Sequence, residues 1–184
     1  MRRPAGAILI QQDEKPRAVL YVRRGQVAIG SASESGAESS FAVRGPDTLL
    51  GLEVLIDERA PYQVTALTDV VFCALEPSAF LGWVGQLDSP MGAVLELAVA
   101  EAGRRVQERH GLQGTAVRRV ARFLLKQVES GTLSTPQNVV ATVLGMRPET
   151  LSRALAKLRT AGALAPGRTV RVTDSSVLDK FANE

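Results

Sequence analysis

Three polar residues, Glu149, Ser152 and Arg153, are spaced so that a helix would present them together near its first turn. Steps of three and four residues return to the same helix face, so the three side chains share one side. An arginine there can donate two hydrogen bonds to guanine O6 and N7, and a glutamate can accept one from cytosine N4. The trio predicts direct reading of base edges in a DNA major groove. The alternative is a helix hairpin in which Glu149 and Arg153 form a surface ion pair.

A helix-turn-helix pattern surrounds this trio. Residues 137–144 are predicted to form a short helix capped by Thr135, and Gly145 supplies the turn that ends it. Pro148 then opens a second predicted helix over 149–161, since proline suits the first helical position. The inward-facing positions of both helices are small or apolar: Ala141, Leu151, Ala154, Leu155 and Leu158.

Other polar residues around the pattern are placed to contact phosphates, which set affinity rather than sequence preference. After Gly162, residues 163–165 and 169–172 predict a two-stranded hairpin, the wing of a winged helix, with Arg168 at its tip. The alternative for Arg168 is an ordinary turn arginine. The predicted phosphate contacts are Arg147, Thr135, Arg168 and Lys157.

The charge of the chain is unevenly distributed. Residues 1–110 hold 11 Lys+Arg and 14 Asp+Glu, whereas residues 111–184 hold 11 Lys+Arg and 5 Asp+Glu. A basic C-terminal part is expected of a nucleic-acid-binding domain, although many solvated surfaces are also basic. The chain has one cysteine and one histidine, which excludes an internal disulfide framework and a CxxC metal site. We therefore expect no catalytic site, no metal and no cofactor.

The N-terminal half is predicted to be a β domain. Short apolar runs separated by turn formers predict strands over 8–10, 19–22, 26–29, 40–43, 64–67 and 70–75, with a hairpin tip over 31–40. Many short strands with such turns predict a sandwich or small barrel. Cys73 lies in the last of these strands, and we expect it to be buried because free cysteines commonly are. The apolar runs are too short to span a membrane, so a cytoplasmic protein without membrane contact is expected.

One long helix over residues 91–110 is predicted to join the two halves. Its apolar residues form a narrow stripe, which predicts the seam of a homodimer; the alternative is a helix that packs only on its own β domain. A further helix is predicted over 115–129. The chain thus divides into a β domain (1–85), a dimerisation helix and hinge (86–110) and a DNA-binding domain (111–184). The predicted seam consists of Met91, Val94, Leu95, Ala98, Ala102 and Val106.

From about Arg3 to its end, the chain resembles the CRP/FNR family of bacterial transcription regulators. The strongest match is residues 139–155, which contain the Glu149, Ser152 and Arg153 trio, and looser matches cover 20–27 and 45–51. The resemblance implies an α+β fold with a cupin-like β-roll of the cyclic-nucleotide-binding type, a dimerisation helix and a winged helix-turn-helix. It also implies a homodimer on double-stranded DNA, with TTGAT-like half-sites as in the FNR branch. Activation would need contact with RNA polymerase, and repression by occlusion is equally compatible.

The resemblance leaves the effector open. In the cyclic-nucleotide branch a Gly-Glu pair binds ribose and an Arg beside Ser or Thr binds the phosphate, but neither Gly51 nor Arg59 has that neighbour. The cluster cysteines of FNR are absent, and His110 is expected to stabilise the helix C-terminus or to be a hinge residue rather than a haem ligand. The chain also enters its first strand where relatives carry helical segments. We predict a regulator that is active without effector; the alternative senses a small molecule, haem or cyclic nucleotide in the β-roll.

Overall fold

A computed structural model describes residues 1–32, 38–127 and 131–183 of the chain. The chain forms two compact units, Met1–Arg105 and Val106–Glu184, whose boundary falls inside a long helix, Pro90–Gly111. The three-part division predicted from the sequence stays a prediction.

The first unit contains two antiparallel sheets. Within the described residues the sheets are four-stranded, in the orders β1-β8-β3-β6 and β2-β7-β4-β5. The predicted β-roll is confirmed, and every predicted strand is present. The strands β1 and β6 were missed because two or three residues are too few to show an alternating pattern. The strands are β1 (Arg2–Arg3), β2 (Ile8–Ile10), β3 (Val19–Arg24), β4 (Val27–Ala32), β5 (Glu38–Arg44), β6 (Thr48–Leu50), β7 (Gln63–Ala66) and β8 (Val70–Leu75). The centre of the predicted tip, 33–37, lies outside the described residues.

The core of the roll lies between the two sheets, where side chains from both inner faces meet. The strand β8 shows the alternation that builds it: Val70 and Phe72 are buried, whereas Val71 and Cys73 are exposed. The prediction that Cys73 is buried is therefore wrong. Successive side chains of a strand point to opposite faces, and the inward position of Phe72 places Cys73 on the outer surface.

Helices complete both units. They are α1 (Pro77–Val84), α2 (Pro90–Gly111), α3 (Ala116–Gln127), α4 (Gln137–Val143), α5 (Pro148–Thr160) and α6 (Ser175–Asn183). The sequence pattern did not predict α1 or α6. Residues 128 and 129, the end of the helix predicted over 115–129, lie outside the described residues. Among the described helices, none has the length and apolar character needed to cross a membrane.

An ion-pair network ties α2 to the roll. Arg44 on β5 is only 8% exposed, and its Nη2 lies 3.4 Å from Oε1 of Glu101 on α2. The Nε atoms of Arg104 and Arg105 also donate to the Glu101 carboxylate, at 3.0 and 3.3 Å. Burial raises the pKa of Glu101, but the charge of Arg44 and the bonds from Arg105 and Arg104 outweigh it, so this pKa lies below its usual value.

Isolated β-bridges take the place of the predicted wing hairpin. Leu164 pairs with Val172 as expected, but Arg171 also pairs with Thr132, which precedes α4. The prediction of a two-stranded hairpin was incomplete, because the segment before α4 also pairs with residues 169–172. A hydrogen bond from the Leu133 amide to the Val170 carbonyl, 2.9 Å long, supports this addition.

Candidate nucleic-acid interface

The turn between α4 and α5 closes through a left-handed glycine. Gly145 has φ +58°, which glycine adopts without the steric cost that a Cβ brings. Its amide donates to the Thr142 carbonyl, and the Met146 amide donates to the Ala141 carbonyl, each at 3.0 Å. This pair of bonds satisfies the last carbonyls of α4 and lets the chain reverse direction.

Arg119 on α3 supports the same turn from the interior. Its Nη1 donates to the Leu144 carbonyl at 2.8 Å, at the C-terminal end of α4 where a cation is favoured. The Nε of Arg119 is buried without a hydrogen-bond partner among the described residues. Sequence patterns offered no reason to assign Arg119 to the site, because its partner is a backbone carbonyl that only the folded chain brings near.

Helix α5 begins at Pro148, one residue earlier than predicted. Arg147 occupies the cap position in extended conformation, and its carbonyl accepts bonds from the Thr150 and Leu151 amides at 3.0 and 3.1 Å. Its side chain makes no capping bond and is exposed. The backbone and Pro148 therefore start the helix, which leaves the Arg147 guanidinium on the surface.

The two faces of α5 differ sharply. Its inner face is fully or nearly buried and consists of Leu151, Ala154, Leu155 and Leu158. Glu149, Ser152 and Arg153 are all exposed. Arg153 Nε donates to the backbone carbonyl of Glu149 at 3.3 Å, and the ion pairs of the described residues do not include one between these two side chains. The surface-pair alternative therefore has no support in this geometry.

The predicted phosphate contacts fall into two groups. Arg147, Lys157 and Arg168 are exposed. Lys157 Nζ lies 5.9 Å from the ring centroid of Phe181, and the Arg168 carbonyl accepts a bond of 3.3 Å from Nε2 of Gln137. These contacts hold the Lys157 side chain beside α6 and the Arg168 backbone beside the start of α4.

Thr135, the fourth predicted phosphate contact, differs from the other three because it is buried, with only 3% exposed. Pro136, not Thr135, occupies the cap position of α4, with ψ 140°, and its carbonyl accepts a bond from the Val140 amide at 3.0 Å. We therefore correct the assignment of Thr135 from a phosphate contact, which needs an accessible hydroxyl, to packing before α4.

The six predicted seam residues of α2 lie along one stripe, and all of them are exposed. Met91 is 70% exposed, Leu95 57% and Val106 62%. Adjoining exposed apolar side chains are compatible with an interaction surface, and the seam stays a prediction.

The roll offers a cyclic nucleotide a poor phosphate cradle. Arg59 is exposed and its Nη1 donates to the Asp13 carbonyl at 2.6 Å. The next amide, that of Ala60, donates to the Glu14 carbonyl at 2.9 Å, and Pro61 has no N–H. A phosphate cradle needs free backbone N–H groups beside a placed cation, and neither Ala60 nor Pro61, the two residues after Arg59, supplies one.

Glu53, which lies one place later than the glutamate of a Gly-Glu pair at Gly51 would, also has an internal partner. Tyr62 donates its hydroxyl hydrogen to Oε2 of Glu53 at 3.0 Å. Burial and this hydrogen bond raise the pKa of Tyr62, because ionisation would bury a second negative charge beside Glu53. The residues of this segment thus bond to one another and do not fit the nucleotide. The described residues also contain no group of three His, Cys, Asp or Glu side chains that could hold a metal ion.

Comparison with known proteins covers both units. Residues 1–86 match the family described as cyclic nucleotide-binding domain, and residues 118–181 match the Crp-like helix-turn-helix domain. The chain is 28% identical to the cyclic AMP receptor protein of Thermus thermophilus over 188 residues, which covers 97% of this chain and 86% of that protein.

Solved structures share the fold. A CRP-family transcriptional regulator from Thermus thermophilus aligns with a TM-score of 0.81 at 22% identity, covering 100% of this chain and 97% of the other. FixK2 from Bradyrhizobium japonicum aligns with a TM-score of 0.84 at 22% identity, covering 98% and 95%. At these identities the solved structures establish the fold alone. Any relation beyond the fold rests on the matches to the two family models and to the cyclic AMP receptor protein.

Proposed function

Because the chain belongs to the CRP/FNR family of transcription regulators, we propose that it binds a pseudo-palindromic operator as a homodimer. The recognition helix α5 of each copy enters one half-site, similar to TTGAT, with half-sites about one helical turn (~34 Å) apart. Glu149, Ser152 and Arg153 read base edges, while Arg147, Lys157 and Arg168 contact phosphates.

The observation that carries this proposal is the two-sided character of α5. Its apolar residues are buried against the rest of the unit, and its three polar residues are exposed at the N-terminal end, which is the end that helix-turn-helix proteins insert into the major groove. The ion pairs of the described residues do not include Arg153, so its guanidinium is available for a guanine.

Genomic footprinting with the purified full chain tests the proposal and recovers the operator. Fluorescence anisotropy then compares that operator with a random duplex for the wild type and Arg153→Ala. The variant should lose about 1–3 kcal/mol on the operator and relax its preference at one guanine. Lys157→Ala, one turn along the same helix, is the control and should weaken both duplexes alike. Equal weakening of both duplexes by Arg153→Ala would contradict a base-reading role.

We further propose that specific binding needs no effector, since the internal bonds of Arg59, Ala60 and Glu53 occupy the groups that a cyclic nucleotide would use. The second candidate is an effector-gated regulator, which the match of residues 1–86 to the cyclic nucleotide-binding domain favours. Anisotropy titrations on the operator, with and without cyclic AMP, separate the two. Specific binding only in the presence of cyclic AMP would favour the second candidate.

A further inference from the structure

Arg122, in the middle of α3, bonds to the C-terminal ends of two other helices. Its Nε donates to the Ala182 carbonyl in the last turn of α6 at 2.9 Å. Its Nη1 donates to the His110 carbonyl in the last turn of α2 at 3.2 Å. One guanidinium therefore joins α3, α6 and the part of α2 that belongs to the second unit, residues 106–111.

These contacts suit the chemistry of both partners. The last carbonyls of a helix have no partner within the helix and carry the negative end of its dipole, so a cation there is stabilising. A guanidinium is planar and its donors point in fixed directions, so two bonds made by one group constrain the angle between the helices that accept them. A lysine could reach one of these carbonyls but could not reproduce the fork.

A second arginine on α3 provides an internal comparison. Arg118, one turn before Arg122, donates from Nε to the Ala182 carbonyl at 3.2 Å and from Nη2 to the Asn183 carbonyl at 3.5 Å. Both of these bonds go to the end of α6. The bond to α2 distinguishes Arg122 from a neighbour of the same type on the same helix.

The far end of α6 is also held. Oδ1 of Asp174 accepts bonds from the Ser176 amide at 2.9 Å and the Val177 amide at 3.2 Å, which caps the first turn. Because α6 is fixed at both ends, the Ala182 carbonyl is a firm support for Arg122 rather than a fraying terminus.

We propose that Arg122 is a positioning residue for DNA binding. By tying the end of α2 to α3 and α6, it fixes the angle at which α2 leaves the DNA-binding unit, and thereby the half-site spacing that a dimer accepts. The proposal rests on the proposed function, because spacing has meaning only for two copies joined through α2.

The test uses the full-length chain and the operator recovered by footprinting, in duplexes whose half-site spacing is changed one base pair at a time. A rigid dimer should lose about tenfold or more in affinity away from its preferred spacing. We expect Arg122→Gln to lose less than about threefold over the same series. The affinity of Arg122→Gln for a duplex carrying one half-site should equal that of the wild type. A general loss of structure would instead lower the affinity of the variant for the operator and for the single half-site.

Two further variants sharpen the result. Arg118→Gln should keep the spacing profile of the wild type, since it leaves the bond to His110 in place. Arg122→Lys should give an intermediate profile, and it carries the test if Arg122→Gln does not fold. A spacing profile unchanged in both Arg122 variants, or broadened equally in Arg118→Gln, overturns the role of Arg122. A wild type that recovers no palindrome instead overturns the proposed function, and this inference with it.

Discussion

Replacing Glu101 by glutamine tests the attachment of α2 to the roll. Arg44 is 8% exposed and Glu101 35%, so the pair is neither fully buried nor free in solvent. Removing one partner of a buried pair costs about 3–5 kcal/mol, whereas an exposed pair contributes about 0–1 kcal/mol. Because the distance is 3.4 Å and the carboxylate is partly exposed, the cost of removing this pair should lie between these two ranges, closer to that of an exposed pair. We expect Glu101→Gln to lower the free energy of unfolding by about 1–2 kcal/mol at neutral pH.

The free energy of unfolding can be measured by urea denaturation followed through the fluorescence of Trp83, which reports on the first unit. Trp83 is the single tryptophan of the chain and lies in α1, within the first unit, so its fluorescence during urea unfolding follows that unit. The control is Glu96→Gln, an exposed glutamate on the same helix as Glu101, which should change the free energy of unfolding by less than about 0.5 kcal/mol.

Acid provides a second readout from the same pair. The pKa of folded Glu101 is lowered, so its contribution is complete above the pKa of the unfolded chain, near 4.5, and is lost as pH falls through the folded value. The difference between wild type and Glu101→Gln should therefore narrow below about pH 4.5. A glutamine variant as stable as the wild type, or a difference that stays constant into acid, would refute the reasoning.

Two further predictions concern the proposed interfaces. Leu95→Asp places a charge on the exposed stripe of α2 and should shift sedimentation from dimer to monomer and lower operator affinity, while Ala100→Asp, on the other side of the helix, should leave the dimer intact. Sedimentation as a dimer by both variants would exclude this seam. Arg168→Ala should weaken binding to operator and random DNA alike and reduce the slope of log affinity against log salt by about 1. An unchanged slope would remove Arg168 from the phosphate contacts.

The order of the longer strands and of α2 to α5 could be predicted because each of these carries a local signal, whereas β1, β6, α1 and α6 were missed. Glycines follow the ends of α4 and α5, Pro148 opens α5, and apolar residues recur with the helical period. Cys73 was misplaced because every residue of β8 is apolar, so the sequence does not show which alternate set faces the core, and the burial preference of cysteine alone decided the prediction. The exposed trio on α5 followed from spacing alone, since the helix period fixes which residues share a face.

Contacts between distant residues could not be predicted in this way. Arg118 bonds to a carbonyl 64 residues later and Arg122 to one 60 residues later, whereas the partner of Arg119 is 25 residues later. A backbone carbonyl has no residue-specific pattern, so nothing in the sequence marks these partners. The same holds for Arg44 and Glu101, which are 57 residues apart and belong to a strand and a helix.

These arginine contacts change the meaning of the basic C-terminal region. The excess of Lys+Arg over Asp+Glu in residues 111–184 suggested a broad electrostatic surface for DNA. Three of those cations, Arg118, Arg119 and Arg122, point at the ends of neighbouring helices and bond to their carbonyls. Their charge still contributes to the field at long range, but the donors that make these bonds are not available to phosphates. Contacts that release counterions should therefore be counted from α5 and the wing, and the net charge overstates their number.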